Sequence, residues 1–306
     1  MPSDELVLEP APVSPLAARI VLARDLRRLR EEHGLTQEEL AALVGRDRVA
    51  INRAEQYKIG VSAGLVVDIL EALKISPESA LYTNLVGVAR CADRPGWWQR
   101  RTYAGMGPAQ VTAARLEQGA EMCEYNPHVL TGLLQTEEYA RFRVLATSDS
   151  ASASIEPVVR GRLRRQEVLR GPHPARLVVV VEEAAIYDRV VDTRVALGQL
   201  HHLVDAISHQ SNIDLRVLPV RARLADGPAP RSPFTIYRYK DLDLRVIVVD
   251  TVYKDYVVPD DGDAGQAEVR DYIQLFDRLL NAAHGPNESL QLLQSAIKTL
   301  TAELNS

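Results

Sequence analysis

Positive charge is scarce for a chain of this length: 36 Lys and Arg stand against 41 Asp and Glu, a net charge of −5. A protein that coats nucleic acid indiscriminately needs a broad basic excess, so that class is excluded and any nucleic-acid binding must come from local placement. Cysteine is equally sparse. Cys91 and Cys123 lie far apart and match no zinc spacing, which sets aside a zinc-finger or disulfide framework and leaves two reduced thiols. No apolar run approaches the roughly 20 residues that span a bilayer, and the N-terminus lacks a charged-then-apolar signal segment. A cytoplasmic protein is expected. Also missing are a nucleophile elbow, a phosphate loop, a metal-binding pair and a carboxylate dyad, and Gly105-Met106-Gly107 is too little for nucleotide binding. The expectation is a protein that is not an enzyme and carries no cofactor.

What is present fits two or three globular domains, with 46% hydrophobic and 25% charged residues in 306. The most organised stretch runs from Arg19 to Leu73, where short amphipathic segments are separated by single glycines. Leu22, Leu26 and Leu29 form the buried stripe of a first helix that Gly34 can close in the left-handed conformation. Thr36 and Glu39 have the spacing of a capping box opening a second helix, in which Leu40, Leu43 and Val44 face inward. Gly45 stops it, and Asp47 suits the N-cap of a third helix holding Ile51 and Ala54 in the core. This is helix-turn-helix grammar. In that geometry the third helix enters the DNA major groove while the start of the second meets phosphate. Arg46, Asp47, Arg48, Val49, Asn52 and Arg53 then lie at the DNA face, with Thr36, Gln37 and Lys58 beside phosphate. Between Pro15 and Ile75 ten Lys or Arg meet nine Asp or Glu, so placement and not bulk charge must select DNA.

The block from Arg24 to Leu73 resembles the lambda-repressor/Cro-like (XRE) helix-turn-helix family, through Gly34-Leu35-Thr36-Gln37-Glu38-Glu39-Leu40, then Gly45, then Ile51-Asn52-Arg53-Ala54-Glu55. The resemblance implies a structural ion pair between Arg30 and Glu55. Two departures stand out: Tyr57 occupies the place of a glycine after the third helix, and Gly60-Val61 replaces the neighbourhood of a proline. Either the turn is remodelled or Tyr57 serves a contact.

Along the chain, residues 1–15 read as a flexible leader with four prolines, and 16–90 as the helix-turn-helix domain. A fourth helix at about 63–73 offers Leu65, Ile69, Leu70 and Leu73, and Ser76-Pro77 has the look of an N-cap opening a fifth. Residues 91–150 read as a helical bridge in which Trp97 and Trp98, beside Arg100 and Arg101, could stack on bases but are expected to pack one domain on another, and a helix spans Pro108 to Glu124. Residues 151–306 read as an α+β sensor, partner-binding and oligomerisation domain with a small, largely antiparallel sheet. A small-residue linker, 148–154, precedes its first, basic helix. Strands are expected at Leu177–Val181, Ile213–Leu218, Phe234–Tyr239 and Leu244–Asp250, the last two joined as a hairpin. The basic helix offers Arg160, Arg164 and Arg165 as candidates for an anion or partner site, weighed against a solvated face around Val159, Leu163 and Leu169. The loop from Val220 to Pro233 is long enough for a lid. His201, Asp205 and His209 share one helix side but fall mostly outside the buried stripe, and Asp260-Asp261-Gly262-Asp263 lacks the spacing of a calcium loop and reads as an exposed turn. Leu290, Leu293, Ile297, Leu300 and Leu304 repeat like a coiled-coil seam, although a helix packed on its own domain shows the same stripe.

A second resemblance lies in Gly132-Leu133-Leu134-Gln135-Thr136-Glu137-Glu138-Tyr139-Ala140, which looks like the PGLLQTxxYA signature of a C-terminal domain of unknown function in actinobacterial regulators, with Thr131 in place of the proline. It continues through Arg164-Arg165-Gln166, Glu182-Glu183-Ala184-Ala185, Gln199-Leu200-His201-His202-Leu203, Leu215-Arg216-Val217-Leu218-Pro219 and Pro233-Phe234-Thr235-Ile236. Such chains resemble the WhiJ-like regulators of Streptomyces, associated with development and secondary metabolism and often encoded beside a small partner protein in an antitoxin-like arrangement. The expected function is therefore a dimeric, operator-binding transcriptional regulator whose second half takes an effector or a protein. The alternative is an antitoxin-like module that captures a small neighbouring protein and autoregulates.

Overall fold

A computed structural model describes residues 14–58, 60–147, 155–187, 190–225, 227, 230–251 and 255–306. Most of the expected leader and the whole small-residue linker lie outside these residues, as does part of the candidate lid.

The first helix, α1 (Pro15–Glu32), begins earlier than its leucine stripe implied. Ser14 caps it by accepting from the Ala17 amide at 3.0 Å, and Pro15 occupies the first turn, where a missing N–H costs nothing. Its two halves serve different cores. Leu22, Leu26 and Leu29 pack with Leu40, Ile51, Ile69 and Leu70 in the N-terminal bundle, whereas Leu16, Ala17, Ile20 and Val21 pack under the sheet of the second half.

The bundle continues with α2 (Gln37–Val44), α3 (Arg48–Ala54), α4 (Ala63–Ala72) and α5 (Ala80–Ala92). Gly34 and Gly45 take φ +67° and +66°, the left-handed conformation that ends a helix without a Cβ penalty. The capping box is complete: Glu39 N donates to Thr36 Oγ1 at 3.2 Å, and Thr36 N donates to Glu39 Oε2 at 2.8 Å. Two expectations fail. Leu43 is 58% exposed, because Leu40, Ala41 and Val44 define the inward face and, at about 100° per residue, Leu43 points well away from it. Ser79, not Ser76, caps α5, its hydroxyl accepting from the Tyr82 amide, while Ser76-Pro77 forms the turn before it.

The bridge holds Trp98, Met106 and Ala114 in a small core, with Trp97 edge-on to Tyr103 at a 4.8 Å centroid distance. The tryptophans pack. Beyond α6 (Pro108–Leu116) the expected long helix stops, and residues 121–126 form β1 (Glu121–Asn126), a central strand. Gly119, at φ +72°, makes that break. The other strands are β2 (Leu177–Glu182), β3 (Ile213–Leu218), β4 (Phe234–Tyr239), β5 (Leu244–Val249) and β6 (Tyr256–Pro259), in the order β3-β2-β1-β4-β5-β6. β1 pairs parallel with β2 and β2 with β3, and the remaining three pairings are antiparallel. The parallel strand β2 is buried on both faces and so reads as an unbroken branched run.

Alternation along the strands makes two cores. Met122, Leu177, Val179, Leu215, Tyr237 and Val246 face one side, and Cys123, Tyr125, Val178, Phe234 and Ile247 face the other. The first side receives the N-terminal half of α1, together with α10 (Thr193–His209) and α12 (Pro286–Leu304). The second receives α11 (Gly262–Ala282) through Val269, Phe276 and Leu279. The tail stripe is thereby used inside its own domain, with Leu293 fully buried and Ile297 and Leu300 packed on the same core. Between β1 and β2 run α7 (Glu137–Thr147) and the basic helix α8 (Glu156–Arg165), and the short α9 (Glu183–Ile186) follows β2.

Candidate nucleic-acid interface

The first turn of α3 is built by Asp47, whose carboxylate accepts from the Ala50 amide at 2.7 Å, so this residue acts as the cap. Ile51 and Ala54, 0% and 2% exposed, pin one side of the helix to the bundle. The opposite side is therefore forced outward, and Arg46, Arg48, Val49 and Arg53 are all exposed, with Asn52 half-buried beside them. Arg48 lies 3.5 Å from Glu38 and Arg46 lies 3.2 Å from Asp68, both exposed pairs weak enough for a phosphate or base edge to displace. Asn52 Oδ1 accepts from Gln56 at 3.2 Å.

The phosphate candidates divide. Thr36 is engaged in the capping box, whereas Lys58 is exposed. Gln37 reaches inward and donates to Glu55 Oε2 at 2.9 Å. Glu55 is 7% exposed and also receives Arg30 through Nε at 2.6 Å and Nη2 at 3.0 Å, while Arg30 Nη1 donates to the Leu35 carbonyl at 2.8 Å. Hydrogen bonding to Glu55 raises the Arg30 pKa further above its ordinary value. This bidentate pair ties the end of α1, the turn before α2 and the end of α3 into one unit.

That unit is clamped to the second half. Tyr57, just beyond α3, donates its hydroxyl to the Val257 carbonyl of β6 at 3.3 Å and packs against the sheet core. Burial, and then the nearby Asp261 carboxylate, hold its phenol above the ordinary range. Asp261 itself pairs with Arg27 of α1, and Arg24 donates to the Asp243 carbonyl at 3.2 Å in the β4–β5 turn. The acidic stretch at 260–263 is thus a docking point as well as the start of α11, a role that spacing alone did not reveal.

The arginines of α8 do not act together. Arg160 and Arg164 are exposed, the latter paired with Glu167, whereas Arg165 turns under the helix onto Glu117 at 2.9 and 2.5 Å. Sequence reasoning gave no special place to Arg162. Its Nη1 donates to Gln135 Oε1 at 2.7 Å, and Gly161 beside it leaves room for Met106, whose Sδ would lie 2.3 Å from an added Cβ. Arg162, Arg165, Gln135, Gln110, Glu124 and Asp250 converge on a cavity of about 330 Å³ over β1, β4 and β5. Glu124 is buried and accepts from Thr131 Oγ1, a bond that a proline at 131 could not make, and from Asn126 at 3.2 Å. Burial raises the Glu124 pKa, lowers that of Arg162 to about 10 with help from the Arg165 and Arg143 charges, and pushes Asp250 up to about 6. The signature segment 132–136 mainly scaffolds this cavity: Gln135 donates to the Leu130 carbonyl at 2.7 Å, and Gln199 bridges the Thr136 amide and the Leu134 carbonyl. His201, Asp205 and His209 lie on the exposed side of α10.

An exposed recognition-type helix held in a bundle by side-chain caps and a buried ion pair defines a helix-turn-helix protein, and residues 21–81 match the family described as Helix-turn-helix domain. That match suggests a DNA-binding regulator. Residues 110–295 match the family described as a domain of unknown function (DUF5753), which covers more than half of the chain, and the protein belongs to that family. No curated protein and no solved structure matches the chain. Among the described residues no helix is long and apolar enough to cross a membrane.

Proposed function

We propose that the protein is a sequence-specific, operator-binding transcriptional regulator of the lambda-repressor/Cro-like type, working as a homodimer, with a second half that receives an effector or a small partner protein. The observation that carries this reading is the outward face of α3, where Arg48, Val49 and Arg53 stand exposed on a helix whose other side is locked by Ile51, Ala54 and the Arg30–Glu55 pair. Arginine suits bidentate reading of guanine, asparagine pairs with adenine, and valine packs on a thymine methyl. Each protomer would place one α3 in the major groove of a half-site.

The shared α1 and the Tyr57 contact make regulation mechanical. A change in the second half that moves β6 or the start of α11 moves α3 with it, and paired half-sites tolerate only one separation. By resemblance, the regulated processes would be development or secondary metabolism in an actinobacterium. The antitoxin-like alternative shares the DNA face and differs in what the second half captures: a small neighbouring protein that copurifies. Catalysis has no part in either reading, and turnover that survived loss of the DNA face would overturn both.

The test is selection of bound fragments from the source genome at near-physiological salt, comparing wild type with Arg48→Ala and Arg53→Ala. Enrichment of one paired sequence by wild type, relaxed or lost in the variants, is expected. An undiminished enrichment in both variants would remove α3 as the reader.

A further inference from the structure

The walls of the cavity over β1, β4 and β5 hold two polar atoms, buried beneath its surface, that the described residues leave unanswered. Arg162 Nε, a donor, and Gln110 Oε1, an acceptor, have no hydrogen-bond partner among the described residues, and both belong to residues lining the cavity. Buried polar groups are almost always met by protein, water or ligand. Gln110 is 9% exposed, so this is a built position and not a surface side chain. The surroundings are preorganised: Gln135 fixes Arg162 from the far side, and the Gln166 amide fixes Gln135 through its carbonyl at 2.7 Å.

The charges are arranged by wall. One wall carries the guanidiniums of Arg162, Arg143 and Arg165, from α7 and α8. Of these Arg165 is neutralised by Glu117, whereas among the described residues Arg162 is bonded only to an uncharged amide. The other wall carries Glu124 of β1 and Asp250 after β5. A dianionic phosphate would gain from the first wall and be repelled by the second. A molecule with one carboxylate and a neighbouring ammonium meets both, and the modest size of the cavity, at the small end of ligand sites, suits a metabolite of few atoms.

We propose that this cavity binds a free amino acid or a close amino-carboxylate analogue, a side-chain rotation baring the Nε edge of Arg162 to its carboxylate and Gln110 Oε1, beside the carboxylates of Glu124 and Asp250, to its ammonium. The proposal rests on the reading of the second half as an effector-binding unit, and it names the effector's chemical class. Binding here would sit on the sheet whose edge strand, β6, holds Tyr57.

The test titrates the full-length protein calorimetrically with each proteinogenic amino acid, and with the methyl ester, the decarboxylated amine and inorganic phosphate as controls. At least one amino acid should bind in the micromolar to millimolar range, with its ester and its amine about tenfold weaker or worse, because each loses a charge-assisted hydrogen bond. Arg162→Gln should weaken binding by about tenfold or more, and Gln110→Ala, which strands no charge, should weaken it in the same direction in a folded protein. Arg48→Ala should bind as wild type does. No binding by any amino acid would overturn the proposal, as would preference for phosphate, or binding indifferent to both cavity variants. Because the readout needs no DNA, failure here with an intact fragment selection sinks only the ligand, and the reverse sinks only the operator reading.

Discussion

Two arginine-bearing helices, α3 and α8, meet opposite fates. On α3, Arg48 and Arg53 remain exposed because the buried side of the helix, Ile51 and Ala54, meets only the aliphatic bundle core of residues such as Leu22, Leu26 and Leu40. On α8, Arg165 and part of Arg162 are drawn beneath the helix because the neighbouring elements offer Glu117 and Gln135 there. A basic helix therefore says little about function until the polarity of what it packs against is known. Exposed guanidiniums supply affinity for an external anion, whereas buried ones become part of the protein's own framework.

That contrast can be broken at several points. The largest effect should come from Arg165→Ala, which strands Glu117 at 2% exposure and should cost about 3–5 kcal/mol in denaturant unfolding. A loss below about 1 kcal/mol would place Arg165 with the solvated arginines instead. Arg30→Ala, which strands Glu55, should cost about as much and abolish DNA binding along with the bundle. On the exposed helix, Arg48→Ala and Arg53→Ala should leave stability within about 0.5 kcal/mol of wild type while removing about 1–3 kcal/mol of discrimination at their base pairs, measured by competition binding. Tyr57→Phe should lose about 0.5–1.5 kcal/mol with the Val257 hydrogen bond, and the loss should be visible as faster amide exchange along β6.

The smallest effect concerns pH. Burial raises Asp250 to about 6, above its unfolded value, so its ionised form disfavours the fold. The penalty is absent below the unfolded pKa of about 4 and complete above about 6, and Asp250→Asn should gain on wild type as pH rises through that window. An advantage independent of pH would show that the carboxylate titrates normally at the cavity mouth.

The bundle was legible because its signals are local. Gly34, Thr36, Glu39, Gly45 and Asp47 each act within four residues, and their hydrogen bonds and φ values follow from side-chain chemistry alone. The strands at 213–218 and 234–239 were legible for the same reason, since turn residues bound their branched and aromatic runs. β1 escaped because Met122, Glu124 and Asn126 on one face and Cys123 and Tyr125 on the other carry no clean apolar alternation. Glu124 is polar on a buried face because it belongs to the cavity. Leu43 and Ser76 were misread on pattern, which fixes a helix's stripe to within a residue and no better.

The sequence by itself determined the helix-turn-helix, its caps, its outward arginines and most of the sheet, because propensity, capping and periodicity operate over a single turn or strand. Only the tertiary structure decided that α1 belongs to two cores, that Tyr57 anchors the recognition helix to β6, and that Arg162 and Gln110 line one cavity. Those relations join residues 50 to 200 positions apart, and no local rule of chain conformation can set the distance between them.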